Sequence, residues 1–223
     1  MKNRSHARGF TLTEIAIVLG IGGFIISAVW VGVSAVNQRQ SVKRAVDTLQ
    51  TIVQNMVSIY QNRPLPAACV PGAPLPAGQQ ITANMVRAGL VPPTAVRPAD
   101  GLGCERAAHP WDERPGMLII WDITDVAIPA NPVPRFRISF YNIPLDACIA
   151  LLLQGTNCDP SQLGCPFAVF TGAGLNPAPA TIPDAGPPPN WQTAITPTIA
   201  ANNTLCGFNS PAGNSVEFDY LLR

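Results

Sequence analysis

The sequence predicts an α+β protein: one long N-terminal helix, half transmembrane and half amphipathic, packed on the antiparallel β-sheet of an extracytoplasmic head. Three observations predict it. Ile15 to Gln38 is a run of 24 residues without a charge, and its apolar part, Ile15 to Val36, is 22 long. At ~1.5 Å per residue that length crosses a ~30 Å hydrocarbon core. Next, Val42, Val46, Leu49, Val53, Met56 and Tyr60 recur at alternating intervals of four and three, with Ile52 widening the stripe, while Arg39, Lys43, Arg44, Asp47, Gln50 and Gln54 occupy the rest of the surface. Finally, short β-rich runs bounded by Pro and Gly fill the remainder.

The elements follow in order. Residues 1–9 carry Lys2, Arg4 and Arg8 and no acid, so they read as a basic leader on the cytoplasmic side. An ordinary secretory signal has a shorter apolar region followed by a small-residue cleavage site. Here the apolar run passes into a longer helix over 10–60, so it is expected to be retained, with 15–36 in the membrane. No proline occurs between 10 and 63 to break that helix. Gly20, Gly22 and Gly23 weaken it locally, which suits either close helix packing or a segment that loses helicity on assembly. A heptad coiled coil over 42–60 is the competing reading, set aside for want of charged flanks.

Pro64 and Pro66 end the long helix, and five prolines between 61 and 80 mark a connection that leads into the head, 61–223. Thr82 to Leu90 reads as a short helix capped by Thr82 and stopped at Gly89. Met117 to Ile123 reads as a buried strand. Arg135 to Tyr141 reads as a half-buried one, with Phe136, Ile138 and Phe140 on one face. Pro144 to Gln154 reads as a second helix with Gly155 just past its end, and Ser215 to Leu222 as the strand that closes the sheet. Residues 171–200 hold seven prolines and no apolar period, which predicts a long surface loop.

Composition excludes several functions. With 14 Lys+Arg against 13 Asp+Glu the net charge is +1, too little for a nucleic-acid binder. Two histidines, His6 and His109, rule out a multi-histidine catalytic site. No nucleophile elbow, P-loop or dinucleotide fingerprint stands in a suitable context, so no enzyme, cofactor or metal site is expected. His109, Asp112 and Glu113 are a candidate metal or acid/base cluster, yet one histidine among carboxylates in a Pro-rich loop reads as solvated surface. Trp111 and Trp121 read as packing residues. The six cysteines, Cys69, Cys104, Cys148, Cys158, Cys165 and Cys206, all lie in the head, lack metal-site spacing, and predict three disulfides in an oxidising compartment.

Glu14 is out of place at the edge of an apolar segment, where a carboxylate is costly unless a cation meets it. Cleavage between Gly9 and Phe10 would create an ammonium on Phe10 and remove the three leader cations. Glu14 of one subunit could then meet Phe10 of its neighbour and enforce axial register. The solvated alternative leaves Glu14 idle in the headgroup region.

A basic leader ending in Gly9, then Phe10-Thr11-Leu12-Thr13-Glu14 and a long apolar helix, resembles the class III signal of type IV prepilins and pseudopilins. Ala88-Gly-Leu-Val-Pro92, His109-Pro-Trp-Asp112 and Phe136 to Pro144 with Cys148 beyond are similar to the type IVb branch, the pilins of conjugative thin pili and of bundle-forming pili. The resemblance implies a type IV pilin fold, cleavage after Gly9 by a prepilin peptidase and N-methylation of Phe10. It further implies storage in the bacterial inner membrane and assembly, by a pilus machinery, into an extracellular homopolymeric filament for adhesion, aggregation or conjugation. It also implies a Cys148–Cys206 bridge, beside which Cys158–Cys165 is an easy local loop and Cys69–Cys104 is what remains. A minor pilin at a filament tip, a type II secretion pseudopilin and an anchored binding domain that never polymerises are the alternatives.

Overall fold

The computed structural model describes residues 11–61, 63–67, 69, 79–99, 103–114, 116–124, 134–155, 164–166, 168–173, 178–179, 206 and 213–222. The chain divides into two compact units, residues 1–40 and 41–223. Helix α1, Leu12–Tyr60, contributes to both.

In the first unit α1 is apolar all round. Its most apolar 18-residue window has a mean hydropathy of 2.3 and no buried residue, and Ile17, Leu19, Phe24, Ile26 and Trp30 are exposed. Such a surface is unstable in water and suited to lipid or to like helices. The hydroxyls of Ser27 and Ser34 fold back onto the carbonyls of Gly23 and Val31, at 2.8 and 3.1 Å, so they carry no unmet polar group into that surface. Gly20, Gly22 and Gly23 are helical here.

In the second unit α1 becomes one-sided. Val42, Ala45, Val46, Leu49, Ile52, Val53 and Met56 are buried, and they join the core formed by the sheet. Ala45 completes the expected stripe, whereas Tyr60 is only partly covered. Full burial of a side chain such as Ile52 or Met56, both at 0% exposure, is worth about 1.5–3 kcal/mol.

The head contains an antiparallel sheet of eight strands among the described residues: β1 (Gln79–Gln80), β2 (Val96–Arg97), β3 (Arg106–Ala107), β4 (Leu118–Asp122), β5 (Arg135–Ile143), β6 (Ala168–Ala173), β7 (Ala178–Pro179) and β8 (Asn214–Leu221). Their spatial order is β2-β3-β4-β5-β8-β6-β7, with β1 on β4. Two helices are inserted, α2 (Thr82–Arg87) and α3 (Leu145–Gly155). The α+β architecture, a long helix on an antiparallel sheet, is the one the sequence predicts.

Register assigns the sheet's two faces. Phe136 opposes Tyr220, Ile138 opposes Phe218 and Ile120, and Phe140 opposes Val216 and Leu118. These side chains belong to the same core as α1, and the Phe136 and Tyr220 rings stack at 5.1 Å. The alternate residues, Arg137, Ser139, Tyr141, Glu217 and Asp219, lie on the other face.

Several expectations need correction. The strand from Arg135 is not half-buried: Arg135, Ser139 and Tyr141 on its polar face are also buried. Thr82 does not cap α2, since its hydroxyl is taken by the sheet, accepting from the Ile120 amide at 2.9 Å. The helix ends at Arg87, with Gly89 in the turn at φ +72°. Gly155 is the last residue of α3 rather than its stop signal. A Cβ there would sit 2.5 Å from the Phe218 ring, so glycine is required by close packing of α3 on β8. The predicted loop 171–200 begins with the end of β6 and includes β7, and the rest of it lies outside the described residues.

Candidate functional site

The residues expected to act are Gly9, Phe10 and Glu14. Gly9 and Phe10 lie outside the described residues. Glu14 sits in the first turn of α1, and its surroundings are a reciprocal helix cap. The Glu14 amide donates to Thr11 Oγ1 at 3.3 Å, while Glu14 Oε2 accepts from both the Thr11 amide and the Thr11 hydroxyl at 2.8 Å. This is a capping box, T-x-x-E, which satisfies orphan amide donors at the helix start and places a carboxylate at the positive end of the helix dipole. The spacing Thr11-Leu12-Thr13-Glu14 carries that signal in the sequence, an acid three residues after a threonine at the start of an apolar run. Glu14 Oε1 has no partner among the described residues.

The cluster at His109 is not the solvated surface that its composition suggests. His109 and Asp112 are buried, at 2% and 8% exposure. The imidazole Nε2 donates to the Tyr141 carbonyl at 2.6 Å and Nδ1 accepts the Asp112 amide at 3.3 Å, the pattern of a neutral ring. Burial lowers its pKa from the ordinary histidine value, outweighing that hydrogen bond and the nearby Asp112 charge. The Asp112 carboxylate accepts from Arg114 Nη2 and from Asn142 Nδ2, both at 2.5 Å. The Arg114 bonds, against burial and aided by Asn142, hold the Asp112 carboxyl well below the usual carboxylate range. His109-Pro-Trp-Asp112 therefore fastens the β3–β4 connection to the end of β5. Glu113 stays exposed.

The other polar assembly is on the outer face of β5 and β8. Arg137 donates Nε and Nη2 to Asp219 at 2.5 and 2.9 Å and Nη1 to Glu217 at 2.8 Å. Glu217 Oε1 also accepts from Ser139 at 3.0 Å and Tyr141 at 2.7 Å, and Trp121 Nε1 donates to Ser139 at 3.1 Å. Burial raises the Asp219 pKa against the pull of Arg137, and burial with the Glu217 charge raises that of Tyr141. A one-armed loss here would strand a buried charge, so the network fixes strand register more than it adds stability. The alternation of Arg137 with Ser139 and Tyr141 was visible in sequence, but their partners stand about eighty residues away.

Two disulfides brace the head, Cys69–Cys104 and Cys148–Cys206, with Cα separations of 6.0 and 5.8 Å. Cys165 is also disulfide-bonded, and Cys158, its expected partner, lies outside the described residues. Among the described residues no three His, Cys, Asp or Glu side chains gather as a metal site.

The chain matches no family model and no curated protein. Solved structures similar to it include type IV pilins, two of them named as type IVb. The crystal structure of the type IV b pilin from Salmonella typhi is 17% identical, covering 79% of this chain and 97% of that one, with a TM-score of 0.48. The NMR structure of PilS from Salmonella typhi is 15% identical over 78% and 92%, with a TM-score of 0.42. TcpA from Vibrio cholerae El Tor is 15% identical over 81% and 98%, with a TM-score of 0.45.

Proposed function

We propose that this chain is a structural subunit of a type IVb-like pilus. A prepilin peptidase cuts after Gly9, Phe10 is N-methylated, and residues 15–36 hold the subunit in the bacterial inner membrane. A pilus assembly machinery then polymerises it into an extracellular filament of like copies. The observation that carries this reading is Glu14, an acid at the head of the otherwise uncharged, exposed and apolar first part of α1, up to Gln38. Its carboxylate is half satisfied by Thr11 and keeps one oxygen unpartnered among the described residues.

That geometry supports a division of labour. The capping box reduces the cost of keeping a carboxylate at the membrane edge, and Oε1 remains for an ammonium on a neighbour's Phe10. Loss of Lys2, Arg4 and Arg8 with the leader leaves 11 basic and 13 acidic side chains, so the basic excess belongs to the part removed. Because the apolar faces of like helices offer no direction along the axis, a single buried ion pair sets the register.

Filaments sheared from cells and weighed intact without reduction test this. The expected species begins at methylated Phe10 and is six hydrogens lighter than its reduced form. Protein that stays with the membrane and keeps residues 1–9 would refute the reading in favour of a plain anchored domain.

A further inference from the structure

We propose that the head carries a binding site for an acidic saccharide, a sugar ring bearing one carboxylate, in the cleft between the head half of α1 and the β2–β3 region. The cleft is about 440 Å³, within the range of small-molecule sites, and it lies wholly in the unit 41–223. Because the site belongs to the head alone, the proposal stands whether or not the chain polymerises.

Arg97 is the first reason. Its half-buried guanidinium is pinned by three backbone carbonyls: Nε to Glu113 at 3.2 Å, and Nη1 to Thr94 at 3.0 Å and Val96 at 2.9 Å. Neutral carbonyls fix its orientation without balancing its charge, and Nη2 keeps two donors free of any partner among the described residues. A guanidinium held rigid, in no ion pair among the described residues, is prepared for an external carboxylate. Arg44 of α1 lines the same cleft, exposed and unpaired among the described residues, and supplies a second cation.

The remaining lining chooses among anions. Asp47 and Glu113 face the same space, and neither forms an ion pair with Arg44 or Arg97 among the described residues. Two acids and two cations make the lining charge-balanced, which opposes a polyanion or a bare phosphate. It suits a ligand that brings one carboxylate together with hydroxyl donors. Sugar hydroxyls donate to Asp47 and Glu113 and accept from the Thr48 and Thr94 hydroxyls. His109 is buried and both its nitrogens are engaged elsewhere, so it offers the ligand no polar group. Pro92 and Pro110, both partly exposed, add an apolar surface for the C–H face of the ring.

Isothermal titration of the detergent-solubilised full chain with glucuronate, N-acetylneuraminate, glucose and inorganic phosphate tests the assignment. The expected result is binding of both acidic sugars, with glucose and phosphate at least about tenfold weaker, the ratio given by one charge-assisted contact. Arg97→Gln removes three internal bonds and risks loosening the β2 turn, so Arg44→Gln decides. It is exposed, should leave the circular dichroism spectrum unchanged, and should weaken the acidic sugars about tenfold. Phosphate binding as tightly as the acidic sugars, glucose binding equally well, no heat with any of the four, or an unaffected Arg44→Gln variant would each overturn the proposal.

Discussion

Gly213→Ala should be among the most destabilising single-methyl additions in the head. Gly213 has φ +68°, and a Cβ built there would lie 2.6 Å from Asn142 Oδ1, 2.9 Å from Asn142 Cα and 3.1 Å from its carbonyl carbon. Turning the Asn142 side chain relieves only the first of these, because the other two atoms are backbone. Asn142 is itself held at φ +56° within the β5–β8 register shift, and its amide donates to Asp112, so retreat would also release the His109–Asp112 tie. The left-handed backbone costs an alanine about 1–2 kcal/mol, and overpacking adds about 1–3 kcal/mol, giving about 2–5 kcal/mol together. Gly89→Ala is the internal control, since Gly89 has φ +72° but open space around its Cβ position. It should show the backbone cost alone. Urea unfolding of the oxidised, detergent-solubilised chain, followed by tryptophan fluorescence, reads both. Equal losses for the two variants would refute the close approach of the β8 start to Asn142.

Other perturbations address different parts. Glu14→Ala should leave the head folded yet sharply lower the filament recovered by shearing, and normal recovery would sink the register role. Because the Asp112 carboxyl is held below its ordinary value, its contribution is complete above about pH 4 and is lost as the pH falls below that, where the unfolded chain binds the proton first. Urea midpoints between pH 2 and 6 should therefore fall less steeply for Asp112→Asn than for the parent, and parallel acid limbs would contradict this. Replacing Cys148 and Cys206 together by serine opens a bridge spanning 58 residues and should cost about 2–4 kcal/mol in the same unfolding assay. Ile52→Ala, at a fully buried position of α1, should cost about 2–5 kcal/mol.

What the sequence revealed tracks how local each determinant is. The apolar run, the stripe on the head half of α1, and strands β4, β5 and β8 were legible because a helix or strand writes its period directly into neighbouring residues. The short strands β2 and β3 were not, since two residues carry no period and are strands only because β4 offers β3 an edge and β3 in turn offers one to β2. Thr82 and Gly155 mislead for a related reason. Each fits a local rule, cap or stop, yet Thr82 is claimed by Ile120 and Gly155 by Phe218, partners far along the chain. The same holds for His109 and Asp112: a histidine beside acids in a Pro-rich stretch has the composition of surface, yet Phe140, Tyr141 and Asn142, some thirty residues away, hold the pair in the interior. At the N-terminus the reverse occurred. The cap Thr11–Glu14 was fully local, whereas the cleft of Arg44 and Arg97 joins residues more than fifty positions apart and had no signature to read.

The place of β8 in the sheet has a kinetic consequence. It is the last strand in sequence, yet it lies between β5 and β6, pairing Arg135 with Leu221 and Ala168 with Asp219. As the chain emerges, β4 and β5 can pair early, but β5 keeps an open hydrogen-bonding edge and β6 has no central partner until residues 214–221 arrive. Arg137 waits equally long for Glu217 and Asp219. Folding is therefore governed by a late, long-range closure, which is slow and leaves an unpaired edge open to other chains. Oxidation of Cys148 with Cys206 shortens that interval by tethering Cys206, upstream of β8, to α3.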